Sequence, residues 1–264
     1  MAARHGLRPD KALGQHFLAD PNLARRIVSL AGVEPGDRVI EVGAGLGSLT
    51  VALAAAGARV LAVELDRALA PALEEAVAPF PSVRVEVGDA LAVDWPATLR
   101  PGRWKMVSNL PYNIATPLLL QMLERAPVDL YLVMVQREVG ERLVAGAGDT
   151  AYGAVSVKIA YRAGARLVRR VPASVFWPAP KVESALVELV PRPAPVRLAA
   201  EELFPVVEEA FAERRKTMAN ALRRLGLDRE GAAALLVRCG LDPRVRGERL
   251  SLEDFARVTE ELRA

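Results

Sequence analysis

The sequence predicts a doubly wound α/β domain with a mostly parallel sheet, followed by a small all-α domain. Three observations carry this. Short apolar strand patterns alternate with amphipathic helix patterns from residue 38 to residue 135. One strand runs straight into a glycine turn and then a helix, at residues 38–50, RVIEVGAGLGSLT. A stiff PRPAP stretch at residues 191–195 precedes a tail in which every apolar pattern is helical. The expected domains are residues 1–195, opening with a basic irregular segment over 1–20, and residues 196–264.

Each element has its own signal. Asp20-Pro21 reads as an N-cap with proline at the first helical position, opening a helix whose Leu23, Ile27 and Leu30 share a face and which Gly32 ends. Val39, Ile40 and Val42 make a buried strand. Leu46, Leu49 and Leu53 recur at helical spacing after the glycines. Residues 59–65 (RVLAVEL) form a second strand, which carries Glu64 at its end, and Leu69, Leu73, Ala76 and Val77 a helix. Val83, Val85 and Val87 alternate in a strand ending at Gly88-Asp89. Residues 105–108 run into Asn109-Leu110-Pro111-Tyr112, and Thr116-Pro117 opens a helix that stops near Pro127. Residues 130–135 (LYLVMV) suit a central strand buried on both faces. Residues 152–161 read as a helix, although their periodicity is ambiguous. Residues 166–171 and 184–190 read as two closing strands, a hairpin edge joined by FWPAPKVE. In the tail, Phe204, Val207 and Phe211 share a face, Gly226 and Gly240 stop helices, and Ser251 caps a last one.

The whole chain sets bounds. Its 264 residues are 52% hydrophobic, ample for a sizeable core. A net charge of +3 permits a nucleic-acid partner without demanding one. The one cysteine, Cys239, excludes an internal disulfide and fits a reducing compartment. There is no signal-peptide core and no run of the ~20 apolar residues that a membrane span needs. The expectation is a soluble, cytoplasmic protein, and nothing calls for an obligate dimer, so a monomer is expected.

In an open α/β sheet the ligand crevice lies beyond the carboxyl ends of the strands. Four features converge there. Gly43, Gly45 and Gly47 permit positive φ and close approach of a ligand to the backbone, and the free amides of the following helix suit an anionic group. Their spacing is G-x-G-x-G, not the G-x-G-x-x-G of dinucleotide sites. Glu64 stands about 20 residues past the first glycine, where an acid suits a ribose with free hydroxyls. Asp89 ends the next strand. Asn109 offers a side-chain carbonyl and Tyr112 an aromatic face on a turn that Pro111 stiffens. Each alone has a plainer reading: an ordinary strand–helix turn, a solvated strand-end acid, a helix cap, a turn asparagine. The Asn109 oxygen with a backbone carbonyl would accept both protons of a planar exocyclic amine and aim its lone pair at an electrophile. The chemistry this suits is orientation rather than prior deprotonation.

EVGAGLGSLT, VELD, GDAL, NLPY, FWPAPKVESALV and GQHFL, with FAERRKTMANALRRLG in the tail, closely resemble the ribosomal RNA adenine dimethyltransferases. Within them the motifs resemble the bacterial branch that dimethylates two adjacent adenosines near the 3′ end of small-subunit ribosomal RNA. The resemblance implies a Rossmann-like methyltransferase sheet with S-adenosylmethionine in the crevice and no metal. Gly43 and Gly45 would cradle the methionine part, Glu64 would hold the ribose, and Asp89, with Ala90 beside it, the adenine. His16 and Leu18 would close over the cofactor, although His16 read in isolation is a surface or capping histidine. Asn109, bordering the cofactor, and Leu110 would orient the target amine. Tyr112 would stack on the flipped base and Phe176 cover its other face. Leu110 stands where DNA enzymes commonly carry proline, which favours RNA. Arg214, Arg215, Lys216, Arg223 and Arg224 would contact RNA, with Arg4, Arg8 and Lys11 contributing from the other end; read without the resemblance, the tail cluster is a solvated helix face. The implied partner is small-subunit ribosomal RNA or the immature small ribosomal subunit. The alternatives are a DNA or large-subunit RNA adenine methylase and a non-catalytic nucleic-acid-binding factor; the glycine spacing disfavours a nicotinamide dehydrogenase.

Overall fold

The structure, a computed structural model, describes residues 4–7, 9, 14–99, 102–213 and 215–264. The chain divides into two compact units, Met1–Gly140 with Ala165–Pro191, and Glu141–Gly164 with Arg192–Ala264.

In the first unit β1 (Phe17–Leu18) leads into α1 (Pro21–Leu30), which starts as the sequence indicates, with the Asp20 carboxylate accepting the Asn22 and Leu23 amides. β2 (Arg38–Val42), α2 (Ser48–Ala55), β3 (Arg59–Glu64), α3 (Ala70–Val77) and β4 (Val83–Val87) then wind to one side of β2. Through α4 (Trp95–Thr98) the chain crosses to β5 (Trp104–Asn109), α5 (Ala115–Arg125) and β6 (Leu130–Gln136) on the other side. After α6 (Arg137–Val144) and α7 (Ala154–Arg162) come β7 (Ala163–Val171), β8 (Phe176–Trp177) and β9 (Ser184–Pro191). The sheet has seven strands in the order β4-β3-β2-β5-β6-β9-β7. β4 to β6 pair in parallel, and β9 pairs antiparallel with β6, from Tyr131↔Leu189 to Gln136↔Ser184. β6 is buried on both faces from Tyr131 to Val135, which is why its sequence is a continuous apolar run. β8 breaks the connection between the two closing strands and pairs with β1 in a small separate sheet. Two residues carry no readable periodicity, so the sequence pattern did not disclose it.

The second unit holds α7 together with α8 (Ala200–Ala212), α9 (Met218–Arg224), α10 (Arg229–Arg238) and α11 (Leu252–Arg263). Its core joins Val157, Leu203, Met218, Leu222, Leu236 and Phe255. Ser251 and Asp254 cap α11 reciprocally, each side chain accepting the other's amide. The expected break at residue 196 falls close to Arg192, but residues 141–164, expected with the sheet, cluster with the tail. The reason is specific: Tyr152 is buried in the helical core and its hydroxyl donates to the Leu250 carbonyl at 2.8 Å. Among the described residues no helix is long and apolar enough to cross a membrane.

α6 approaches β9 so closely that a Cβ on Gly140 would lie 2.7 Å from the Cβ of Ala185, which is fully buried. Gly140→Ala would gain ~1 kcal/mol of helix propensity. Overpacking against a fixed strand costs about 1–3 kcal/mol. The second effect is expected to win, lowering the urea midpoint of unfolding; an unchanged or raised midpoint would show that the strand yields.

Candidate active site

The winding of the chain reverses at β2, and there the sheet forks. The β2–β5 ladder runs from Arg38↔Trp104 to Ile40↔Met106 and stops. β2 continues beside β3 to Val42↔Val63, and β5 beside β6 to Asn109↔Met134. The two strands therefore part at their carboxyl ends while each keeps its outer neighbour. The Ser108 hydroxyl accepts the Val42 amide at 3.0 Å in place of the missing ladder bond. Above the fork lies a crevice, where open α/β sheets take ligands. His16, Leu18, Gly43, Gly45, Glu64, Asp89, Ala90, Asn109, Leu110 and Tyr112 all line it.

The glycine turn has φ of 76° at Gly43 and 57° at Gly45, as the sequence requires. Packing gives the glycines a second reason. A methyl on Gly43 would lie 2.8 Å from Pro111 Cδ, and one on Gly45 2.8 Å from Phe17 Cδ1. The Asn-Leu-Pro-Tyr turn and the residue 14–18 strap thus rest on the bare backbone of the turn. Glu64, 6% exposed, accepts the Gly45 amide (2.8 Å) and the Asp66 amide (2.9 Å). Burial raises its pKa, and those amides oppose the rise. Gln15 of the strap donates to the Asp66 carboxylate at 2.7 Å. Asp89 is exposed and accepts the Leu91 amide at 2.9 Å, and the Ala90 carbonyl accepts the Trp95 indole N–H at 3.2 Å.

Asn109 ends β5, and its Nδ2 donates to the His16 carbonyl at 3.0 Å. Leu110 is buried and donates its amide to the Met134 carbonyl. The Tyr112 hydroxyl meets Ser184 Oγ at 2.8 Å, and burial holds its phenol above the usual pKa, so the ring is a neutral surface. His16 Nδ1 donates to the Pro178 carbonyl at 2.8 Å, and its ring lies 5.6 Å from that of Tyr112. His16 is a crevice wall rather than a loose surface histidine.

Phe176 departs from expectation. It is 4% exposed, packs in the core with Leu18 and does not line the crevice, because alternation along β8 turns it inward. In the tail Arg215, Lys216, Arg223 and Arg224 are exposed, and Arg224 is also paired with Glu209 and Glu213. Arg4 pairs with Glu75 at 2.8 Å. Arg8, Lys11 and Arg214 lie outside the described residues.

Sequence reasoning missed Glu41. It lies within β2, 1% exposed, lining the crevice, and its Oε2 has no hydrogen-bond partner. Burial pushes its pKa up to about 8, the neighbouring Thr50 hydroxyl opposing the rise and the charge of Glu64 adding to it. The signal was a lone acid inside an apolar strand. Among the described residues lining the crevice, Glu41, Glu64 and Asp89 stand with no lysine or arginine. Nor is any group of three or more His, Cys, Asp or Glu among the described residues placed to hold a metal ion.

A parallel sheet closed by antiparallel β9, with the glycine turn, the strand-end acids and the Asn-Leu-Pro-Tyr turn around one crevice, defines a Rossmann-like methyltransferase. The model of the ribosomal RNA adenine dimethylase family matches residues 7–264, and the chain belongs to that family. A ribosomal RNA small subunit methyltransferase A from Thermobifida fusca is 47% identical over 98% of this chain and 92% of its own length. A protein of the same name from Pelotomaculum thermopropionicum is 45% identical over 97% and 92%. Among solved structures, a dimethyladenosine transferase from Plasmodium falciparum has the same fold, with a TM-score of 0.76 at 23% identity over 92% of this chain and 96% of that one. The 23S rRNA methyltransferase ErmE gives 0.71 at 26% identity over 94% and 100%.

Glu41 also dictates a pH dependence. Its native pKa of about 8 exceeds the ordinary 4.5, so the folded chain binds the proton more tightly than the unfolded one between those values. That stabilisation is full below pH 4.5 and is lost as pH rises toward 8. Glu41→Gln, which cannot ionise, should unfold at a higher temperature than the parent at pH 8, the gap closing toward pH 5 in thermal melts. A gap independent of pH would contradict the assignment.

Proposed function

We infer that this chain transfers methyl groups from S-adenosylmethionine to the exocyclic amines of two adjacent adenosines near the 3′ end of small-subunit ribosomal RNA, giving dimethyladenosines during ribosome assembly. One observation carries the reading: Asn109 and Tyr112 share a single crevice with the glycine turn, Glu64 and Asp89. The full-length likeness to small-subunit methyltransferases supports this substrate over large-subunit RNA or DNA. Such a substrate puts the work in the cytoplasm, on naked RNA or the immature subunit.

The cofactor fits what the chain offers. The unpartnered Oε2 of Glu41 leaves a hydrogen-bonding group for a ligand, and Glu64 and Asp89 suit one that carries ammonium and sulfonium charges. When bound, S-adenosylmethionine supplies a methyl group activated by positive sulfur. The glycine turn would border the methionine part, Glu64 would receive the ribose, and Asp89 with Ala90 the adenine. His16 and Leu18 form the outer wall. The chain's remaining task is positioning. Because Asn109 Nδ2 is spent on the His16 carbonyl, its Oδ1 is the end left for an amine proton. That oxygen and the face of Tyr112 stabilise positive charge as it grows on the attacking nitrogen. Extruding the base costs a few kcal/mol. Stacking on Tyr112, worth about 1–3 kcal/mol per base, offsets it. Arg215, Lys216 and Arg223 are exposed cations for phosphate contact.

Incubation with labelled S-adenosylmethionine and undermethylated small subunits, naked ribosomal RNA or plasmid DNA, followed by mass analysis of the labelled nucleoside, tests the reading. Dimethyladenosine in small-subunit RNA is expected; label only in DNA or in large-subunit RNA would overturn it. Asn109→Ala should slow transfer by about a hundredfold or more, the scale of a lost transition-state contact. Cofactor affinity by equilibrium titration should change far less, and full activity would remove Asn109 from its role. Arg215→Glu with Arg223→Glu should weaken RNA binding across sequences and flatten its salt dependence by about one unit of slope per lost phosphate contact. Unaltered binding at low salt would make those cations a solvated helix face.

A further inference from the structure

Trp177 takes no part in anything described so far, yet it stands beside the crevice, 46% exposed. β8 pairs antiparallel with β1, Leu18 opposite Phe176 and Phe17 opposite Trp177. Alternation along so short a strand turns the first pair inward, each 4% exposed. It turns the second pair outward, where the two rings stack with centroids 6.1 Å apart and planes 26° from parallel. Phe17 itself lines the crevice and lies against Gly45. Pro178, the next residue, holds His16 through its carbonyl. The indole therefore continues the crevice wall outward by one ring. Along the same loop stand exposed Lys181 and Val182.

Trp95, at 1% exposure, shows what a tryptophan used for core packing looks like in this chain. Trp177 leaves nearly half its surface in water, so one face of the ring is not used by the fold. A docked protein would call for an apolar patch of several residues. One indole on a loop that also carries an exposed lysine suits a nucleotide, a base for the ring and a phosphate for the cation. Extruding a base from its strand also removes a stacking partner from the base beside it. We propose that Trp177 is the stacking platform for the base flanking the target adenine. With one of two adjacent adenosines in the crevice, the other rests on the indole, and the pair is read as a pair. This rests on the methyltransferase reading above and adds a specificity residue to it.

The test compares the parent, Trp177→Ala and Trp177→Phe. Each is titrated with a single-stranded RNA containing the adenosine pair, with 2-aminopurine replacing each adenosine in turn. S-Adenosylmethionine affinity and labelled-methyl transfer to undermethylated small subunits are measured alongside. In the parent, the label at the flanking position should be quenched by stacking. Trp177→Ala should lose that quenching and bind the RNA about tenfold or more weakly, the scale of one base–aromatic stack, with cofactor affinity unchanged. Trp177→Phe should restore most of both. Unchanged quenching and RNA affinity in Trp177→Ala would overturn the platform. So would an equal loss of cofactor affinity, which would make the indole a support for Phe17. Failure of the parent to methylate adenosine in the transfer arm would refute the function reading itself, and the platform with it; a normal parent beside an unaltered Trp177→Ala would refute the platform alone.

Discussion

The parting of β2 and β5 beyond Ile40 and Met106 is the constraint on which the rest depends. A chain that winds one way from β2 and then crosses to wind the other way must leave two central strands with different neighbours. Where their ladder stops, a buried amide would lose its partner, a cost of about 1–3 kcal/mol. The Ser108 hydroxyl removes that cost for Val42 without closing the gap. The sheet therefore opens at its most rigid place, and whatever stands at the tips of β2, β3, β4 and β5 faces one space.

The walls of that space are locked to one another rather than merely assembled. Pro111 and Phe17 occupy the places where side chains of Gly43 and Gly45 would have been. Asn109 grips the His16 carbonyl and His16 the Pro178 carbonyl, joining segments 93 and 162 residues apart in sequence. Glu64 and Asp66 bind the turn and the strap in the same way. Such cross-bracing fixes the geometry before any ligand arrives, which chemistry by positioning requires.

The residues legible from sequence were those whose position follows from a strand's end: the glycine turn, Glu64, Asp89 and Asn109 through Tyr112. Strand periodicity fixes where a strand stops, and the fold class says what stopping there means. What escaped was set by contacts between distant segments. Glu41 read as a blemish in an apolar strand, because only the fork reveals that its carboxyl reaches the crevice wall. The inward turn of Phe176 depends on its pairing with Leu18 through β1 and β8, elements of two residues each. Residues 141–164 join the helical unit through Tyr152 and Val157, whose partners lie more than forty residues away. The pairing of Arg224 with Glu209 and Glu213, on or next to another helix, was likewise not legible from the tail's own pattern.

The acids of the crevice also bear on turnover. On the function inferred above, the donor arrives with a positive sulfur and remains behind as an uncharged thioether once its methyl is gone. With Glu41 protonated near neutral pH, Glu64 and Asp89 are the carboxylates, among the described residues lining the crevice, that favour the first over the second. The electrostatic part of that preference would end with the methyl's departure.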